Sequence, residues 1–409
     1  MNAKMRKLSS PQAFTLIEIL MVTVITMVLF GMLMPGLKES RARAKFIRWY
    51  GYNQQWNRDT DCVVNYNFQD GKKSTFQRPS SSSLWVDTLR NGAEGCDWAA
   101  KGRTYNARDY DGLLCKATGG SSLSYQIYQD PPTNSIRVTG EMKTGGRWGW
   151  YKQALNFDGQ NTVVRVSDPK YVTNSIIWND AVINSSGDVV GAYYDYTNGT
   201  MTTSSDVSKV DPMRDALDFS AVDPFTIVTW IKFETPPSSM QAIYARECGG
   251  VSGHKSPGDP ATASSQYDMF TDFNGTTGSF DVELSTLVCT PPAGSIDFKN
   301  TNWQQVVLRY TYPTPAGASA YRAIDVFING KKISGLGGAS YTSGSIIVSG
   351  NPIGRAGSLT TLGGYPWYGY GGYTYSYQCK FKGLMDEFVV FKRALSDKEV
   401  QGTFDMGSE

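Results

Sequence analysis

Histidine is nearly absent from the sequence: His254 is the only one among 409 residues. A histidine-based metal centre and a Ser-His-Asp triad both need this residue type, so its scarcity argues against both. His254 stands in a stretch rich in Gly, Ser and Pro, where we expect an ordinary surface side chain. No two of the six cysteines are close enough for a Cys-x-x-Cys metal or redox motif.

Charge is also scarce, with 39 basic and 37 acidic residues and 19% charged residues in all. A net charge of +2 gives no case for a nucleic-acid partner. The 40% of hydrophobic residues suffices for a sizeable core and argues against a disordered chain. At roughly 100–200 residues per domain, the length fits two or three domains, or one large β domain with an appendage.

One charge-free apolar run occupies residues 19–37 and is preceded by Lys4, Arg6 and Lys7. A membrane-spanning helix needs about 20 apolar residues, so the run predicts a bilayer-spanning segment. The alternative is a cleaved secretory signal, whose apolar region is shorter, about 7–15 residues. The small-residue cleavage candidate precedes the run here, whereas a secretory signal is cut after it.

The stretch AFTLIE at residues 13–18 resembles the type IV prepilin family, whose pattern is a small residue, Phe-Thr-Leu-Ile-Glu and an apolar helix. The resemblance implies that prepilin peptidase cuts between Ala13 and Phe14 on the cytoplasmic side and methylates Phe14. Residues 1–13 would then be the leader peptide. The family usually has Gly before the cut, where this chain has Ala13.

Glu18 lies within the predicted spanning part, residues 14–37, where a carboxylate costs about 2.5–3.5 kcal/mol and needs a partner. In the prepilin family the matching Glu neutralises the amino terminus of a neighbouring subunit, and the alternative is a Glu that faces lipid headgroups. Pro35 removes one helical hydrogen bond and predicts a bend. The helix is predicted over residues 14–58, with a stripe that can pack on the following domain, formed by Ala42, Phe46, Trp49, Asn53 and Trp56.

Beyond residue 59, short β-branched and aromatic runs alternate with Gly, Asn and Asp turns. The pair Asn329-Gly330 between two apolar runs predicts a tight hairpin. Many short strands with little helix argue for an antiparallel sandwich over residues 59–409. A segment rich in Ser, Asn, Gly and Asp, residues 173–215, is predicted to be an exposed insertion.

Six segments, in order, resemble the laminin-G-like or concanavalin A-like jelly-roll family; they are residues 62–71, 154–159, 225–233, 303–332, 353–355 and 381–400. The resemblance implies an antiparallel jelly roll behind the helix, so the fold class is α+β. In that family the carboxylate pair matching Asp386 and Glu387 is mostly structural. Ser396 and Glu399 form the pattern of a helical capping box.

An even number of cysteines on an exported chain suggests disulfides. Six cysteines allow many pairings. Proximity in sequence favours Cys96 with Cys115 and Cys248 with Cys289, which leaves Cys62 with Cys379.

Two ligand sites are candidates in the head. A Gly-rich segment offers oxygen ligands for calcium from Asp268, Asp272 and Asn274. Their spacing does not match an EF-hand loop, and the alternative is a plain polar turn. The aromatic run at residues 363–377 could stack on sugar rings or on proteins, or pack on its own sandwich; its candidates are Tyr365, Trp367, Tyr368 and Tyr370.

Catalysis by a retaining glycosidase of this fold would need a Glu-x-Asp-x-x-Glu strand, and the nearest match, Asp281-x-Glu283, lacks the third acid. We therefore expect that the protein is not an enzyme and that it has no cofactor beyond the candidate calcium ion. The expected protein is a type IV pilus-like subunit whose head serves adhesion to glycans or proteins. Its partners would be other pilin subunits and prepilin peptidase, and it would move from the inner membrane, as a single-pass precursor with a cytoplasmic N-terminus, to the cell surface. The alternatives are a periplasmic type II secretion pseudopilin and a membrane-anchored carbohydrate-active enzyme.

Overall fold

The computed structural model describes residues 15–69, 75–79, 85–89, 91–93, 112–116, 142–160, 162–166, 182–183, 189–190, 192–195, 200–203, 217, 219, 223–247, 265–271, 280–284, 287–289, 301–311, 323–333, 341–342, 345–347, 359–369 and 374–408.

Two helices and 25 strands make up the described secondary structure. The helices are α1 (Leu16–Arg58) and α2 (Asp397–Gly407). The strands are β1 (Cys62–Tyr66), β2 (Thr75–Pro79), β3 (Trp85–Leu89), β4 (Gly112–Lys116), β5 (Met142–Gly146), β6 (Gly149–Asp158), β7 (Thr162–Val166), β8 (Val182–Ile183), β9 (Val189–Val190), β10 (Ala192–Asp195), β11 (Thr200–Thr203), β12 (Phe225–Phe233), β13 (Ala242–Glu247), β14 (Ser265–Thr271), β15 (Phe280–Leu284), β16 (Leu287–Cys289), β17 (Gln304–Thr311), β18 (Ala323–Ile328), β19 (Lys331–Lys332), β20 (Tyr341–Thr342), β21 (Ser345–Ile347), β22 (Leu359–Leu362), β23 (Tyr365–Gly369), β24 (Thr374–Gln378) and β25 (Lys382–Phe391).

The N-terminal helix α1 has 43 residues and is therefore roughly 65 Å long at 1.5 Å per residue. It begins after its N-cap residue, Thr15, and ends where Asp59 leaves the helical conformation. The long helix predicted from the apolar run is confirmed. Pro35 lies inside α1, and the helix continues through it.

Two antiparallel sheets form the body. The first sheet runs β20-β21-β18-β17-β12-β25-β6-β5, with β1 also paired to β25 and β19 to β18, and the second runs β16-β15-β14-β13-β22-β7-β4-β3-β2. Apolar side chains from both sheets form one buried core between them, including Phe157, Val164, Ile227, Tyr244 and Phe388. The predicted antiparallel sandwich of jelly-roll type is confirmed, and the fold class is α+β.

The first sheet is buried on its outer face as well, because α1 and α2 lie across it. A second apolar cluster forms there from Trp56 of α1, Val400 of α2, and sheet residues that include Val228, Val307 and Phe391. Burial on both faces explains why β12 reads as a nearly continuous apolar run rather than an alternating one.

Local turn chemistry follows the sequence closely. Asn329 and Gly330 have φ values of 52° and 76°, and they join β18 to β19, so the predicted tight hairpin is confirmed. Ser396 caps α2 in a reciprocal box with Glu399, as predicted. In the range 173–215, β8 pairs with β9 and β10 with β11, each in a small sheet of its own.

The predicted bridge between Cys62 and Cys379 is wrong. Cys62 lies opposite Phe391 at one end of β25, whereas Cys379 precedes Lys382 at the other end and bonds through its carbonyl to Ala242. The ten residues of β25 span roughly 30 Å, and a disulfide needs Cα atoms within about 7 Å. Cys115 lies in β4 and Cys289 at the end of β16, while Cys96 and Cys248 are outside the described residues, so the other two pairings stay predictions.

Candidate functional site

The first half of α1 presents apolar side chains to its surroundings rather than to the sandwich. Its large apolar residues, from Leu16 to Leu37, are between 51% and 82% exposed. Among the described residues, α1 is the one helix long and apolar enough to cross a membrane, by length and composition. A continuous apolar surface of this kind is unfavourable in water, so this half can serve as a membrane anchor or a signal.

Glu18 is held at the start of α1 by its own helix. Its carboxylate accepts hydrogen bonds from the Thr15 backbone N at 2.8 Å and from Thr15 Oγ1 at 2.9 Å, and its own N–H donates back to Thr15 Oγ1 at 3.3 Å. The sequence carries the capping-box pattern Thr-x-x-Glu, which sequence reasoning passed over in favour of an intermolecular partner. The predicted cleavage residues Ala13 and Phe14 lie outside the described residues.

The second half of α1 docks on the outer face of the first sheet. Trp49, Asn53 and Trp56 are buried, and their spacing of four and three residues places them on one helix face. Trp56 meets Phe391 edge-on, with ring centroids 5.8 Å apart. The predicted stripe therefore does pack on the following domain.

Asparagine side chains join this part of α1 to β1. Asn53 Nδ2 donates to Asn65 Oδ1 at 3.3 Å, and Asn65 Nδ2 donates to Asn57 Oδ1 at 2.7 Å. Asn91 Nδ2 donates to the Val63 carbonyl at 2.9 Å, while Asn91 Oδ1 accepts from the Asn65 backbone N at 2.8 Å. Asn53, Asn65 and Asn91 are fully buried, so the bonds of Asn53 and Asn57 to Asn65 fix the helix relative to β1, and the bonds of Asn91 hold β1 from its other neighbour in the chain.

A buried group of four charged side chains lies beneath Trp49, and we call it the ion cluster: Arg147, Lys152, Asp386 and Glu387. Arg147 Nε contacts Asp386 Oδ2 at 2.6 Å, and Arg147 Nη2 contacts Glu387 Oε1 at 2.9 Å. Lys152 Nζ pairs with Asp386 Oδ1, and the Trp49 indole N–H donates to Glu387 Oε1. With two cations and two carboxylates, the ion cluster is neutral overall.

A bulge in β25 explains how two adjacent carboxylates reach the same side of the sheet. Trp230 of β12 lies opposite Glu387, but the next residue, Ile231, lies opposite Met385, so Asp386 is the extra residue. Neighbouring side chains on a regular strand point to opposite faces, and a bulge removes that alternation. No sequence signal marks this bulge, which is why the sequence did not predict the cluster.

The same point is a gap in the sheet. On one side of β25, β1 pairs with Phe388–Phe391 and β6 pairs with Lys382–Met385, which leaves Asp386 and Glu387 between the two strands. The Lys152 ammonium enters this gap and donates to the Asn67 carbonyl at 2.5 Å and to the Asp386 carbonyl at 3.5 Å. The lysine therefore supplies donors where the ladder of backbone hydrogen bonds is interrupted.

The C-terminal end of α2 closes the ion cluster. Arg147 Nη1 donates to the Gly407 carbonyl at 3.2 Å, a favourable position for a cation because helix C-termini carry partial negative charge. A Cβ at Gly407 would collide with Arg147 and Trp230, so the approach depends on glycine. The Arg147 guanidinium also lies 4.3 Å from the centre of the Trp230 ring.

Burial sets the protonation tendencies inside the cluster. Burial lowers the pKa of the Lys152 amine, against the opposing effects of Asp386 and Glu387. Burial also raises the pKa of the Glu387 carboxyl, and Arg147 and Lys152 oppose that rise. Removal of either cation would therefore push Glu387 further towards its neutral form.

The predicted aromatic ligand surface falls on the hairpin β23–β24, which connects the second sheet at β22 to the first sheet at β25. In the backbone register, Tyr365 pairs with Gln378, Trp367 with Ser376 and Tyr368 with Tyr375. Tyr370 lies outside the described residues. The ligand itself stays a prediction.

The calcium candidates are only partly described. Asp268 lies in β14 opposite Glu283 of β15, whereas Asp272 and Asn274 lie outside the described residues. Among the residues that the structure describes, no group of three or more His, Cys, Asp or Glu side chains could hold a metal ion.

Comparisons with known proteins agree with the fold. A family model described as the concanavalin A-like lectin/glucanases superfamily matches residues 204–401, so this part of the chain is similar to that superfamily. The molecule is thus an α+β protein in which an apolar helix is joined to an antiparallel sandwich that has this similarity. A search of curated proteins found no match.

The solved structures that match parts of this chain include carbohydrate-binding modules and glycosidases. Domain 4 of the extracellular arabinanase AbnA from Geobacillus stearothermophilus, solved with arabinotriose, is 13% identical with a TM-score of 0.36, covering 84% of this chain and 98% of that one. The sialidase of Trypanosoma rangeli is 12% identical with a TM-score of 0.37, covering 89% and 38%. The CBM40 module of the Ruminococcus gnavus IT-sialidase is 18% identical with a TM-score of 0.28, covering 46% and 85%. Similarity at this level transfers neither a ligand nor an activity to this chain.

Proposed function

We propose that this protein is a subunit of a type IV pilus-like filament, inserted into the membrane by α1 and carrying the sandwich as a surface head. The observation that carries the proposal is the division of one continuous helix into two halves. The half up to Leu37 is exposed and apolar, while the half from Lys38 to Arg58 is docked on the head. The FTLIE stretch at residues 14–18 supplies the prepilin-like start.

The docking mode favours a filament subunit over an enzyme on a membrane tether. A tether only needs to hold its domain near the membrane, so a flexible linker would serve. Here Trp49, Asn53 and Trp56 fix the orientation of the helix relative to the head. Helices that pack side by side in a filament would then place every head in a defined orientation. The same features fit a secretion pseudopilin, which the localisation experiment below separates.

In the filament, Glu18 would exchange its local donors for the amino terminus of a neighbouring subunit. Cleavage between Ala13 and Phe14 creates that amino group on Phe14, the residue directly before Thr15, whose N–H contacts Glu18. A buried carboxylate paired with an ammonium group is favourable in a low-dielectric helix bundle. The expected partners are therefore other pilin subunits and prepilin peptidase.

The first experiment is mass spectrometry of the N-terminal peptide from cells that contain a prepilin peptidase. We expect a chain that starts at a methylated Phe14. A chain that retains Met1, or one cut after residue 37, would refute the proposal. Fibres outside the cell that carry the head would then identify a pilus subunit, and a short periplasmic assembly a pseudopilin.

The second experiment replaces Glu18 by Ala, with Thr26→Ala as the matched control on the same exposed half of α1. Thr26 bonds only to carbonyls of its own helix, Val22 and Thr23, at 2.8 and 2.9 Å. We expect Glu18→Ala to abolish incorporation into filaments while the head stays folded, and Thr26→Ala to incorporate normally. Normal incorporation of Glu18→Ala would remove the assigned role.

We further infer that the head binds glycans or proteins rather than catalysing a reaction, with the hairpin β23–β24 as the contact surface. The aromatic residues in the sequence of this hairpin support the inference, because aromatic rings stack on sugars. A glycan array with the full chain in detergent tests it, with Trp367→Ala as the variant and Tyr50→Ala, on exposed helix surface, as the control. Equal binding by both variants would contradict the assignment.

A further inference from the structure

Lys152 and Asp386 place an amine against a carboxylate oxygen inside the protein. Lys152 lies on β6 and Asp386 on β25, two strands that pair directly. Both side chains are fully buried, and Lys152 Nζ touches Asp386 Oδ1. The filament role does not require this contact, because Trp49 reaches the head through Glu387.

We propose that Lys152 and Asp386 condense to an intramolecular isopeptide bond. Lys152 Nζ adds to Asp386 Cγ, a C–N bond forms, and the C–O bond to one carboxyl oxygen breaks. That oxygen leaves as water with two protons from the original ammonium group. The ion pair contains every atom of the products, an amide and one water, so no oxidant, reductant or activated co-reactant is needed.

Arg147 supplies the electrostatic help that the addition requires. Its Nε donates to Asp386 Oδ2 at 2.6 Å, so this oxygen is held by a donor that can stabilise the negative charge developing as Nζ adds. Attack needs the neutral amine, and burial lowers the pKa of Lys152 in that direction. The Trp49 ring, 4.0 Å from Nζ, covers the pair.

The charge count of the ion cluster supports the same product. Condensation removes one buried cation and one buried anion together. The two charges that remain, Arg147 and Glu387, already contact each other at 2.9 Å. Two buried charges thereby disappear without leaving an unpaired one, which avoids the desolvation cost that buried ions carry.

The chain contains an internal control, in which a Lys, an Asp and an Arg make the same kind of contacts at a more solvent-exposed position. Asp325 contacts Lys332 Nζ through Oδ1 at 2.6 Å and Arg309 Nη2 through Oδ2 at 2.6 Å. Lys332 is 34% exposed, however, whereas Lys152 is 0% exposed. Because Lys332 is in contact with solvent, its ion pair with Asp325 carries a smaller desolvation cost, so we expect no bond between Lys332 and Asp325.

The test is mass spectrometry of the full chain after reduction, alkylation and trypsin digestion. We expect one branched peptide made of residues 148–165 and 383–392, lighter than the two separate peptides by one water molecule. The linked lysine resists trypsin, so cleavage after Lys152 should be lost. The Lys332 site should be cleaved normally.

Three outcomes would overturn the proposal. Full-mass, separate peptides with normal cleavage after Lys152 would show that the pair stays ionic. Loss of water from residues 383–392 alone would indicate a cyclic imide at Asp386 rather than a cross-link. A branched peptide that persists in Lys152→Arg, which keeps the charge but cannot condense, would place the bond elsewhere; the wild-type digest decides the matter even if this variant fails to fold.

Discussion

Replacement of Arg147 by Met should destabilise the protein strongly at neutral pH. Methionine keeps much of the side-chain volume but removes the cation that contacts both Asp386 and Glu387. Asp386 retains Lys152, whereas Glu387 retains only the Trp49 indole as a donor. Breaking a buried ion pair by removing one partner costs about 3–5 kcal/mol, and we expect a loss of free energy of unfolding in that range.

The penalty should depend on pH in a defined direction. Burial already raises the pKa of Glu387 in the folded protein, and loss of Arg147 raises it further. The folded variant therefore holds this proton more tightly than the unfolded chain does. The loss of free energy of unfolding is largest at a pH where Glu387 is ionised in both the folded and the unfolded chain. This loss becomes smaller as the pH falls towards the ordinary glutamate pKa of about 4.3.

Urea unfolding of the full chain in detergent, followed by tryptophan fluorescence, measures the effect. With slopes of about 3 kcal/mol per M for a chain of this size, the midpoint should fall by at least ~1 M. The control is Arg393→Met, because Arg393 is 30% exposed and pairs with Asp59 and Glu399 at the surface, where such pairs contribute about 1 kcal/mol or less.

A second substitution isolates the cause. Adding Glu387→Gln to Arg147→Met removes the unpaired charge and leaves an amide oxygen to accept from Trp49, so most of the lost stability should return. A loss below about 1 kcal/mol for Arg147→Met, or a loss that does not change with pH, would refute the reasoning. Failure of the second substitution to restore stability would do the same.

Two further predictions concern local conformation. Gly330→Ala should destabilise the head by about 1–3 kcal/mol, because Gly330 has φ 76° and a Cβ there would lie 2.9 Å from Phe404. The control, Gly51→Ala on the open surface of α1, should stabilise the protein by up to about 1 kcal/mol. Equal urea midpoints for the two variants would contradict this prediction. Partial burial acts to raise the pKa of Glu399, but bonds from Ser396 and Arg393 outweigh it and lower the pKa. The stability that Glu399 contributes is therefore present above about pH 4.3 and is lost as the pH falls through its lowered pKa. In Glu399→Gln, the free energy of unfolding should therefore depend less steeply on pH in this acid range. An unchanged pH dependence below about pH 4.3 would contradict the prediction.

Much of the fold follows from short-range patterns in the sequence. The apolar run and the stripe containing Trp49 and Trp56 predicted α1 and its docking face, since helical periodicity depends only on neighbours three and four residues apart. The Asn329-Gly330 turn and the Ser396 cap followed from backbone preferences of single residues. These features needed no knowledge of long-range pairing.

The ion cluster could not be predicted in the same way. Arg147 and Asp386 are 239 residues apart, and they meet only because β6 pairs with β25. Asp386 and Glu387 share one side of the sheet only because of a bulge that depends on how β12 registers with β25. The error over Cys62 and Cys379 has the same origin, because elimination among pairings ignored the length of the strand between them.

The docked half of α1 belongs to the folding unit of the head, and truncation should show it. Removal of residues 1–37 deletes the exposed half of α1 and leaves the docked half, so the remainder should stay folded and become soluble without detergent. Removal of residues 1–59 takes away Trp49 and Trp56, which exposes the outer apolar cluster and leaves Glu387 without its indole donor. Losing one large buried aromatic costs about 3–5 kcal/mol, so losing two should cost about 6–10 kcal/mol, a large part of the roughly 5–15 kcal/mol stability typical of a domain. Cooperative unfolding of both truncated chains at the same temperature would mean that α1 is an appendage, and the rigid link on which the filament role depends would be lost.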